Sequence, residues 1–270
     1  MSEKRYLWWQ QLPAEEIVRR AKEECDVAIL PIGAIENHGP HSPCGVDDYN
    51  ATLMAELIAE RTGAMLIPCP MYGSHPYHHW GMPGTIPLEY ETHIALLTDI
   101  IRGAAVAGYK KFLILSAHGQ LSTTSVAVHK LGREGYFTLS LHWYDFLRDD
   151  KNILEVYMWH ADEAETSVGL YLYPEYIDMD KAVDGGGEPL VDRKFITAPG
   201  QRPMPSMLYH FEGTFARPEY IEIPVGVIGH PTLATREKGE QLVAGVVEGI
   251  VELIEDVKAR WPLGVQPPVK

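Results

Sequence analysis

The chain has 270 residues, of which 46% are hydrophobic, and 37 acidic residues against 23 basic ones give it a formal net charge of −14. This length and hydrophobic content are enough to bury one large core. The acidic balance, without any cluster of basic residues, argues against nucleic acid and anionic membranes as partners.

The sequence also lacks the signals of export and membrane insertion. Its N-terminal segment has no apolar stretch followed by a small-residue cleavage site, and about eighteen apolar residues never run together. The three cysteines, Cys25, Cys44 and Cys69, have no CxxC spacing, which is typical of reduced thiols. We therefore expect a soluble cytoplasmic protein.

Helical and strand patterns alternate along the chain. In chain order they predict a helix over 14–24, a strand over 27–32, a helix over 48–61, a strand over 64–69, a helix over 88–107, a strand over 111–116, a helix over 123–134, a strand over 137–143, a helix over 163–172, a strand over 220–227 and a helix over 236–258. This alternation predicts a three-layer α/β/α fold with a mostly parallel central sheet. Since the Gly- and Pro-rich stretch 184–205 is typical of a long loop, residues 1–270 are expected to form a single domain.

Directly after the first predicted strand, the segment 36–47 reads ENHGPHSPCGVD. Open parallel sheets bind ligands at the carboxyl ends of their strands. Glu36 and His38 lie two positions apart, so in an extended segment they point the same way and can converge on one cation, and Asp47 adds a second carboxylate. Such a set without a thiolate suits zinc, manganese or iron in a hydrolytic role. The alternative is a solvated polar loop.

Other segments bring polar side chains to the same edge. His118 follows the strand over 111–116 by two positions, and His160 is placed to act as an acid or base near neutral pH. Asp162 is a candidate N-cap with Glu165 at N3, which would explain both acids without any chemistry. Glu165 could nevertheless carry its carboxylate from the inward face of this helix to the site.

A further cluster, HPYHHWGMPGT over 75–85, combines histidines and aromatic residues before a turn. It indicates either one wall of a pocket or a surface loop with aromatic anchors. The side chains that could form the wall around a ring-shaped substrate are His78, His79, Trp80, Trp143 and Trp159.

Taken together, these segments resemble the motifs of the creatininase (creatinine amidohydrolase) family. LPIGAIENHGPHSPCGVD resembles the family's LPxGSxEQHGPHLPxxxD, YGSHPYHHWGMPGTIPL its HxxFPGTxSL, FLILSAHG its strand ending in NGHGGN, HADEAETS its HAGExETS, and GVIGHPTLATREKG its GxxGDPxxAxxEKG. The pieces follow the family's order from residue 26 to about 240. The resemblance implies a homo-oligomer, specifically a ring-like hexamer, and a centre of one or two divalent ions.

The resemblance also implies roles for individual residues. The residues that would hold the metal are Glu36, His38, Asp47, His118 and Glu165. Asp47 would bridge two ions, Glu165 would supply the remaining carboxylate and take part in catalysis, and His160 would be the catalytic histidine that passes a proton to the leaving group.

One position departs from the family. Creatininase proper has a metal-binding Glu two places after the histidine that corresponds to His118, and this chain has Gln120 there. A neutral amide is a much poorer ligand, so either Glu165 completes the second metal site or that site is weak. Gln120 could instead hydrogen-bond the substrate, and the change makes creatinine itself a doubtful substrate. The expected substrate-binding residues are Gln120, His79, Trp80 and Trp159.

The donor set and the resemblance indicate the same chemistry. Metal-activated water would attack the substrate while a histidine protonates the departing atom. The predicted function is a metal-dependent hydrolase that opens a small polar, cyclic substrate by creatinine amidohydrolase-like C–N hydrolysis. The alternatives are C–C hydrolysis of an oxidised inositol (a dehydro-inosose) in inositol catabolism, formamide hydrolysis, and a non-catalytic scaffold stabilised by metal.

Overall fold

The computed structural model of the protein describes residues 6–68, 70–76, 79–147, 153–187 and 223–269. Within these residues the strands are β1 (Val27–Ile32), β2 (Met65–Leu66), β3 (Lys111–Ser116) and β4 (Phe137–His142). The helices are α1 (Ala14–Glu23), α2 (Val46–Thr62), α3 (Tyr90–Val106), α4 (Leu121–Arg133), α5 (Glu163–Leu172) and α6 (Arg236–Arg260). None of the described helices is both long and apolar enough to cross a bilayer.

The four strands form one parallel sheet in the order β2-β1-β3-β4. Every residue of β1 and β3 is buried, as expected for short apolar strands covered on both faces. Ile32 pairs with Ser116, and Ser116 pairs with His142, so β1, β3 and β4 end level with one another. The segments that follow these strands therefore emerge at one edge, which we call the carboxyl edge.

Alternate side chains of β1 enter two separate cores, because successive residues of a strand face opposite sides of the sheet. Val27 and Ile29 pack with buried residues of α2, α5 and α6. Ala28 and Leu30 pack on the other face with buried residues of α1, α3 and α4. This arrangement confirms the predicted three-layer α/β/α fold with a parallel sheet.

Several predicted elements have different bounds in the structure. The helix predicted over 48–61 begins at Val46, so Asp47 lies in its first turn. The strand predicted over 64–69 is limited to Met65–Leu66, because Pro68 cannot donate a backbone hydrogen bond to a longer ladder.

The late strand predicted over 220–227 is wrong for its described part. Residues 223–226 form a turn in which Gly226 has a positive φ of 69° and its N–H donates to Ile223 O. Ile228 then makes an isolated antiparallel bridge to His160. Residues 188–222, which include most of the predicted long loop, and Cys69 lie outside the described residues, and the single-domain organisation stays a prediction.

Candidate metal centre

The carboxyl edge collects five of the predicted site residues. Glu36 and His38 follow β1, His118 follows β3, Asp47 lies in the first turn of α2, and Glu165 lies in the first turn of α5. Each of the five is at most 4% exposed. Strand ends and helix N-termini thus bring together residues that are as much as 129 positions apart in the sequence.

Gly33, directly after β1, allows α2 to approach the sheet. A Cβ atom at this position would lie 2.5 Å from Asp48 Cα and 2.7 Å from the carbonyl carbon of Asp47, which is closer than real side chains come. The N-terminus of α2 therefore packs directly on the end of β1 and presents Asp47 there. The positive end of the helix dipole favours a carboxylate at this point.

Asp162 caps the N-terminus of α5, as the sequence predicts. Its side chain accepts hydrogen bonds from the backbone N–H groups of Ala164 (2.9 Å) and Glu165 (3.1 Å). Glu165 reaches back, and its Oε2 accepts from the N–H of Ala161 at 2.6 Å. Ala161 has a φ of +50°, a strained conformation for a residue with a Cβ atom. This tight turn holds His160 and Glu165 close to each other at the edge.

Two groups of donor atoms form around Asp47. His38 Nε2 lies 3.5 Å from Asp47 Oδ1 and 3.6 Å from Glu165 Oε2. His118 Nδ1 lies 3.1 Å from Glu36 Oε1 and 3.1 Å from Asp47 Oδ2. Ligands at the corners of a tetrahedron with bonds of about 2.1 Å are about 3.4 Å apart, so these four histidine–carboxylate distances are close to those of ligands that share a cation.

We call the group of Glu36, Asp47 and His118 the first ion position, and the group of His38, Asp47 and Glu165 the second. The two positions share Asp47, which turns one carboxylate oxygen toward each. The buried groups that could hold a metal ion include the second position as a whole. Glu36 and His118 of the first position occur together in a group whose third member is His75.

Backbone carbonyls hold the histidines of the centre in one orientation. The contacts are His38 Nδ1 to Glu36 O (3.2 Å), His118 Nε2 to Ser74 O (3.0 Å) and His160 Nε2 to Asn37 O (2.8 Å). A neutral imidazole that donates its N–H to a carbonyl leaves the opposite ring nitrogen as an acceptor. In each case this second nitrogen faces the carboxylates.

The buried carboxylates attract positive charge strongly. Burial opposes protonation of His38, but the carboxylates of Asp47 and Glu165 outweigh it and raise the His38 pKa to about 10. Burial also opposes protonation of His118, and Glu36 and Asp47 nevertheless raise its pKa well above the ordinary value. Burial raises the pKa of Glu165 well above its usual range. A divalent cation would supply the positive charge that protons otherwise provide here.

Several buried atoms at the centre make no hydrogen bond of acceptable geometry to any described residue. They are His38 Nε2, both carboxylate oxygens of Asp47, and both ring nitrogens of His75. A buried polar atom without a partner costs about 1–3 kcal/mol, so such a concentration is unfavourable unless something binds there. Carboxylate oxygens and imidazole nitrogens without a thiolate suit zinc, manganese or iron, so the residues present fit a divalent metal.

Two further histidines approach Glu36. His160 Nδ1 lies 3.5 Å from Glu36 Oε1, and burial lowers the pKa of His160 well below its ordinary value, which keeps the ring neutral. His79, predicted as part of a pocket wall, lies with Nδ1 2.5 Å from Glu36 Oε2. Both side chains therefore border the first ion position.

Gln120 joins three segments of the carboxyl edge. Its Oε1 accepts from Ser74 N–H, and its Nε2 donates to Gly33 O and to Ser116 Oγ, each at 3.3 Å. The side chain is buried, and these contacts link the ends of β1 and β3 to the loop over 70–76. Substrate binding by Gln120 stays a prediction. Both N–H donors of its amide are already engaged, which leaves one lone pair of Oε1 as the remaining acceptor.

The predicted aromatic wall is only partly assembled. Trp80 is 40% exposed, and its Nε1 donates to His75 O at 3.2 Å. Trp159 is half-buried and packs against the cluster of Ile223 and Ile228. The prediction for Trp143 is wrong, because this residue is fully buried in the core beneath α6. His78 lies outside the described residues.

Sequence reasoning missed the proximity of His75 to the centre. His75 was expected only as part of the 75–85 wall, yet it is 1% exposed and its Nε2 lies 3.8 Å from Glu36 Oε2. The only available signal was the density of histidines in this segment, since the loop has no periodic pattern.

Comparisons with known proteins identify relatives of this chain. A family model described as creatininase, creatinine amidohydrolase, matches residues 10–254. The chain is 33% identical over 273 residues to a 3-dehydro-scyllo-inosose hydrolase of Thermotoga maritima, covering 98% of this chain and 88% of that protein. It is 29% identical over 278 residues to a creatinine amidohydrolase of Pseudomonas putida, covering 93% of this chain and 95% of that protein.

Solved structures of creatininase have the same fold. The manganese form superposes with a TM-score of 0.74 at 26% identity, covering 96% of this chain and all of the other, and a zinc–zinc form gives the same values. The family resemblance of the sequence motifs is thereby confirmed.

Proposed function

The chain belongs to the creatininase family of metal-dependent hydrolases, and we propose that it opens the ring of an oxidised inositol that carries two ketone groups. The hydrolytic part rests on the buried Asp47, whose two oxygens face two separate groups of donor atoms. The substrate part rests on the 33% identity, over nearly the whole chain, to a 3-dehydro-scyllo-inosose hydrolase.

Two divalent ions would be held by the two positions defined above. Glu36, Asp47 and His118 would hold one ion, and His38, Asp47 and Glu165 the other. When bound, such ions lower the pKa of water toward about 7 and polarise a substrate carbonyl. The carbonyl contacts of His38 and His118 would keep their rings oriented, so that little reorganisation accompanies binding.

His160 would move the proton. Its Nε2 is engaged with Asn37 O, so the Nδ1 atom, beside Glu36, is the nitrogen that can exchange a proton. Because burial keeps this ring neutral, Nδ1 can accept a proton from the attacking water and then deliver it to the departing atom. Glu165, held by the N–H of Ala161, would fix the opposite side of the centre.

The bond changes balance with one water molecule. The water oxygen bonds to one ketone carbon, and the ring bond from that carbon to the carbon between the two ketones breaks. The electron pair of that bond remains on the departing carbon, where the second ketone stabilises it as an enolate. The proton from His160 Nδ1 then adds to this carbon, giving an open-chain keto acid.

Hydrolysis of a C–N bond in creatinine is the second candidate. It is favoured by the similarity to solved creatininase structures over 96% of this chain. The same roles of His160 and the donor groups would apply, with a ring nitrogen as the departing atom. We favour the inositol-type substrate because of Gln120. This residue stands where the similar family motif has a metal-binding Glu, and its side chain is hydrogen-bonded to other protein groups.

The test is to incubate the purified, metal-loaded protein separately with a diketo-inositol, creatinine and formamido compounds, and to identify products by NMR. We expect a ring-opened acid from the diketo-inositol alone, and turnover about 10⁴-fold slower by Asp47→Asn. Turnover of creatinine alone would replace the substrate assignment by the second candidate. A protein that binds no divalent metal and hydrolyses none of the compounds would overturn the hydrolase centre itself.

The metal identity and the assembly are further proposals. Both zinc and manganese are compatible with the donor set, and elemental analysis after chelation and re-addition of single metals would distinguish them. We also propose a homo-oligomer, hexameric by family resemblance, in the cytoplasm. Sedimentation of the purified protein would test the assembly.

A further inference from the structure

His75 is a buried histidine at the centre that none of the recognised motifs assigns. The histidine of the family's HxxFPGT segment corresponds by its spacing from Pro83 to His79. His75 instead lies four positions earlier in the loop over 70–76, and it is 1% exposed. Its ring centroid lies 4.7 Å from that of His118.

The backbone around His75 is held firmly. The carbonyl oxygen of His75 accepts hydrogen bonds from Trp80 Nε1 and from the hydroxyl of Tyr90, each at 3.2 Å. The carbonyl oxygen of the preceding residue, Ser74, is hydrogen-bonded to His118 Nε2, and the N–H of Ser74 donates to Gln120 Oε1. The loop therefore fixes the imidazole of His75 next to that of His118.

Among the residues that the structure describes, no side-chain hydrogen bond of His75 explains the burial of its ring. Neither ring nitrogen makes a hydrogen bond to a described residue. The separation of His75 Nε2 from Glu36 Oε2, 3.8 Å, is too long for a hydrogen bond. It is within the range expected for two ligands of one cation, whose spacing is about 3.4 Å in a tetrahedral zinc site.

The donor atoms of Glu36, His75 and His118 also lie within 4.8 Å of one another. Glu36 directs Oε1 toward His118 and Oε2 toward His75, so the carboxylate lies between the two rings. We propose that His75 is a ligand of the ion at the first position, which would then have two imidazoles and two carboxylates. This inference rests on the proposed two-ion centre and adds a ligand to it.

A second imidazole would change the preference of the first position. Nitrogen ligands favour zinc, iron and related metals over magnesium and calcium, which prefer oxygen. The second position has one imidazole and two carboxylates, and so it has no second nitrogen ligand. The two ions should therefore differ in affinity, and the loss of His75 should weaken only one of them.

The experiment compares zinc retention by the wild-type full-length chain, His75→Gln and the control His142→Gln. His142 is a buried histidine at the end of β4 that belongs neither to the two ion positions nor to the group of Glu36, His75 and His118. Each protein is loaded with zinc and titrated with a competing chelator, and bound zinc per chain is measured by elemental analysis. X-ray absorption at the zinc edge reports the number of imidazoles per zinc.

We expect His75→Gln to release one of its two ions about 10- to 100-fold more readily, as seen when groups that support a metal site are removed. We also expect fewer imidazoles per zinc in this variant than in the wild type. His142→Gln should match the wild type in both measurements. Circular dichroism of each zinc-loaded variant establishes that it is folded.

Equal zinc affinity and an equal imidazole count in wild type and His75→Gln would overturn the assignment. A raised KM with unchanged zinc binding would do the same, because it would make His75 a substrate contact. Should His75→Gln fail to fold, a count of about one imidazole per zinc in the wild type, which is what His38 and His118 alone supply, would overturn it. A wild-type chain without bound zinc, manganese or iron would instead refute the proposed function.

Discussion

The two ends of the parallel sheet both bury charged residues, but the charges are paired with opposite charges in different ways. At the amino end, Asp26 precedes β1 and Lys111 begins β3, and Lys111 Nζ lies 2.6 Å from each Asp26 oxygen. The N–H of Gly264 adds a bond to Asp26 Oδ2 at 3.0 Å. One negative and one positive group are thus paired and hydrogen-bonded within the protein.

The carboxyl end has no such balance. Glu36, Asp47 and Glu165 bring three buried carboxylates together, and several donor atoms there have no hydrogen bond to a described residue. A buried ion pair whose two charges are hydrogen-bonded to each other indicates a structural role. An excess of buried carboxylates with oxygen and nitrogen atoms that could bind a metal indicates a cationic ligand. The contrast makes opposite predictions for substitutions at the two ends.

The largest effect is expected for Asp47→Asn. The amide keeps the shape of the side chain but removes the charge that both ion positions share, so activity should fall about 10⁴-fold, equivalent to about 5.5 kcal/mol. Bound metal per chain should also fall, while the melting temperature of the chelated variant stays at or above that of the chelated wild type. Steady-state kinetics, elemental analysis and calorimetry measure these three quantities.

The control for Asp47→Asn is Asp26→Asn at the opposite end. It should keep its bound metal and lose stability. If Asp47→Asn keeps its metal and Asp26→Asn loses it, the division between a metal centre and a structural pair is wrong.

The next effect is the loss of stability in Lys111→Met. The variant leaves Asp26 buried without its cation, and removal of one partner of a buried pair costs about 3–5 kcal/mol. Chemical denaturation should show this loss, with metal content unchanged. The double variant Asp26→Asn/Lys111→Met should recover most of the stability, because no uncompensated charge remains. A double variant as unstable as the single one would contradict this account.

A smaller effect, which depends on pH, is expected from His93. This fully buried residue lies beneath the carboxyl edge, where its Nδ1 lies 2.9 Å from Thr123 Oγ1, and burial lowers its pKa to about 4. Since the folded pKa is below the unfolded value of about 6.5, the stabilisation is fully present above pH 6.5 and is lost as the pH falls toward 4. The loss amounts to at most about 3 kcal/mol.

The measurement compares denaturation of chelated wild type and His93→Gln from pH 7 to 4. Other buried histidines titrate in both proteins, so the difference between the two curves isolates His93. Wild type should lose stability more steeply than the variant over this range. Parallel curves would show that His93 is accessible to protons in the folded state.

The strands and several residues at the carboxyl edge could be predicted from the sequence. The strands were predictable because Val27–Ile32 and Lys111–Ser116 are apolar runs bounded by turn residues. Glu36, His38 and His118 were placed correctly at the carboxyl edge because each follows such a run. Local pattern was sufficient for these elements.

Residues whose position depends on loop packing could not be predicted. Nothing local distinguishes His75 from other histidines of its loop, and its burial follows from bonds that Trp80 and Tyr90 make to its carbonyl. Trp143 was one candidate for the pocket wall, and the structure buries it in the core instead. The late strand failed because Gly226 forms a turn within an otherwise apolar run.

The smallest expected effect is that of Gln120→Glu, which places a carboxylate where the resembling family motif has a ligand. In this chain the side-chain amide donates to Gly33 O and Ser116 Oγ, so a carboxylate oxygen would face the Gly33 carbonyl at about 3.3 Å without a proton between them. The bond to Ser74, which orients His118 through the Ser74 carbonyl, should then loosen.

We expect metal affinity to fall about 10-fold, as it does when a group that orients a ligand is disturbed. Chelator competition measures this change, and a tighter binding of metal by Gln120→Glu would instead mean that the side chain turns toward the ions and acts as a ligand. Gln120 therefore resembles the Asp26–Lys111 pair of the amino end, because its polar atoms are hydrogen-bonded within the protein. Its substitution tests whether these hydrogen bonds orient the metal-binding side chains at the carboxyl edge.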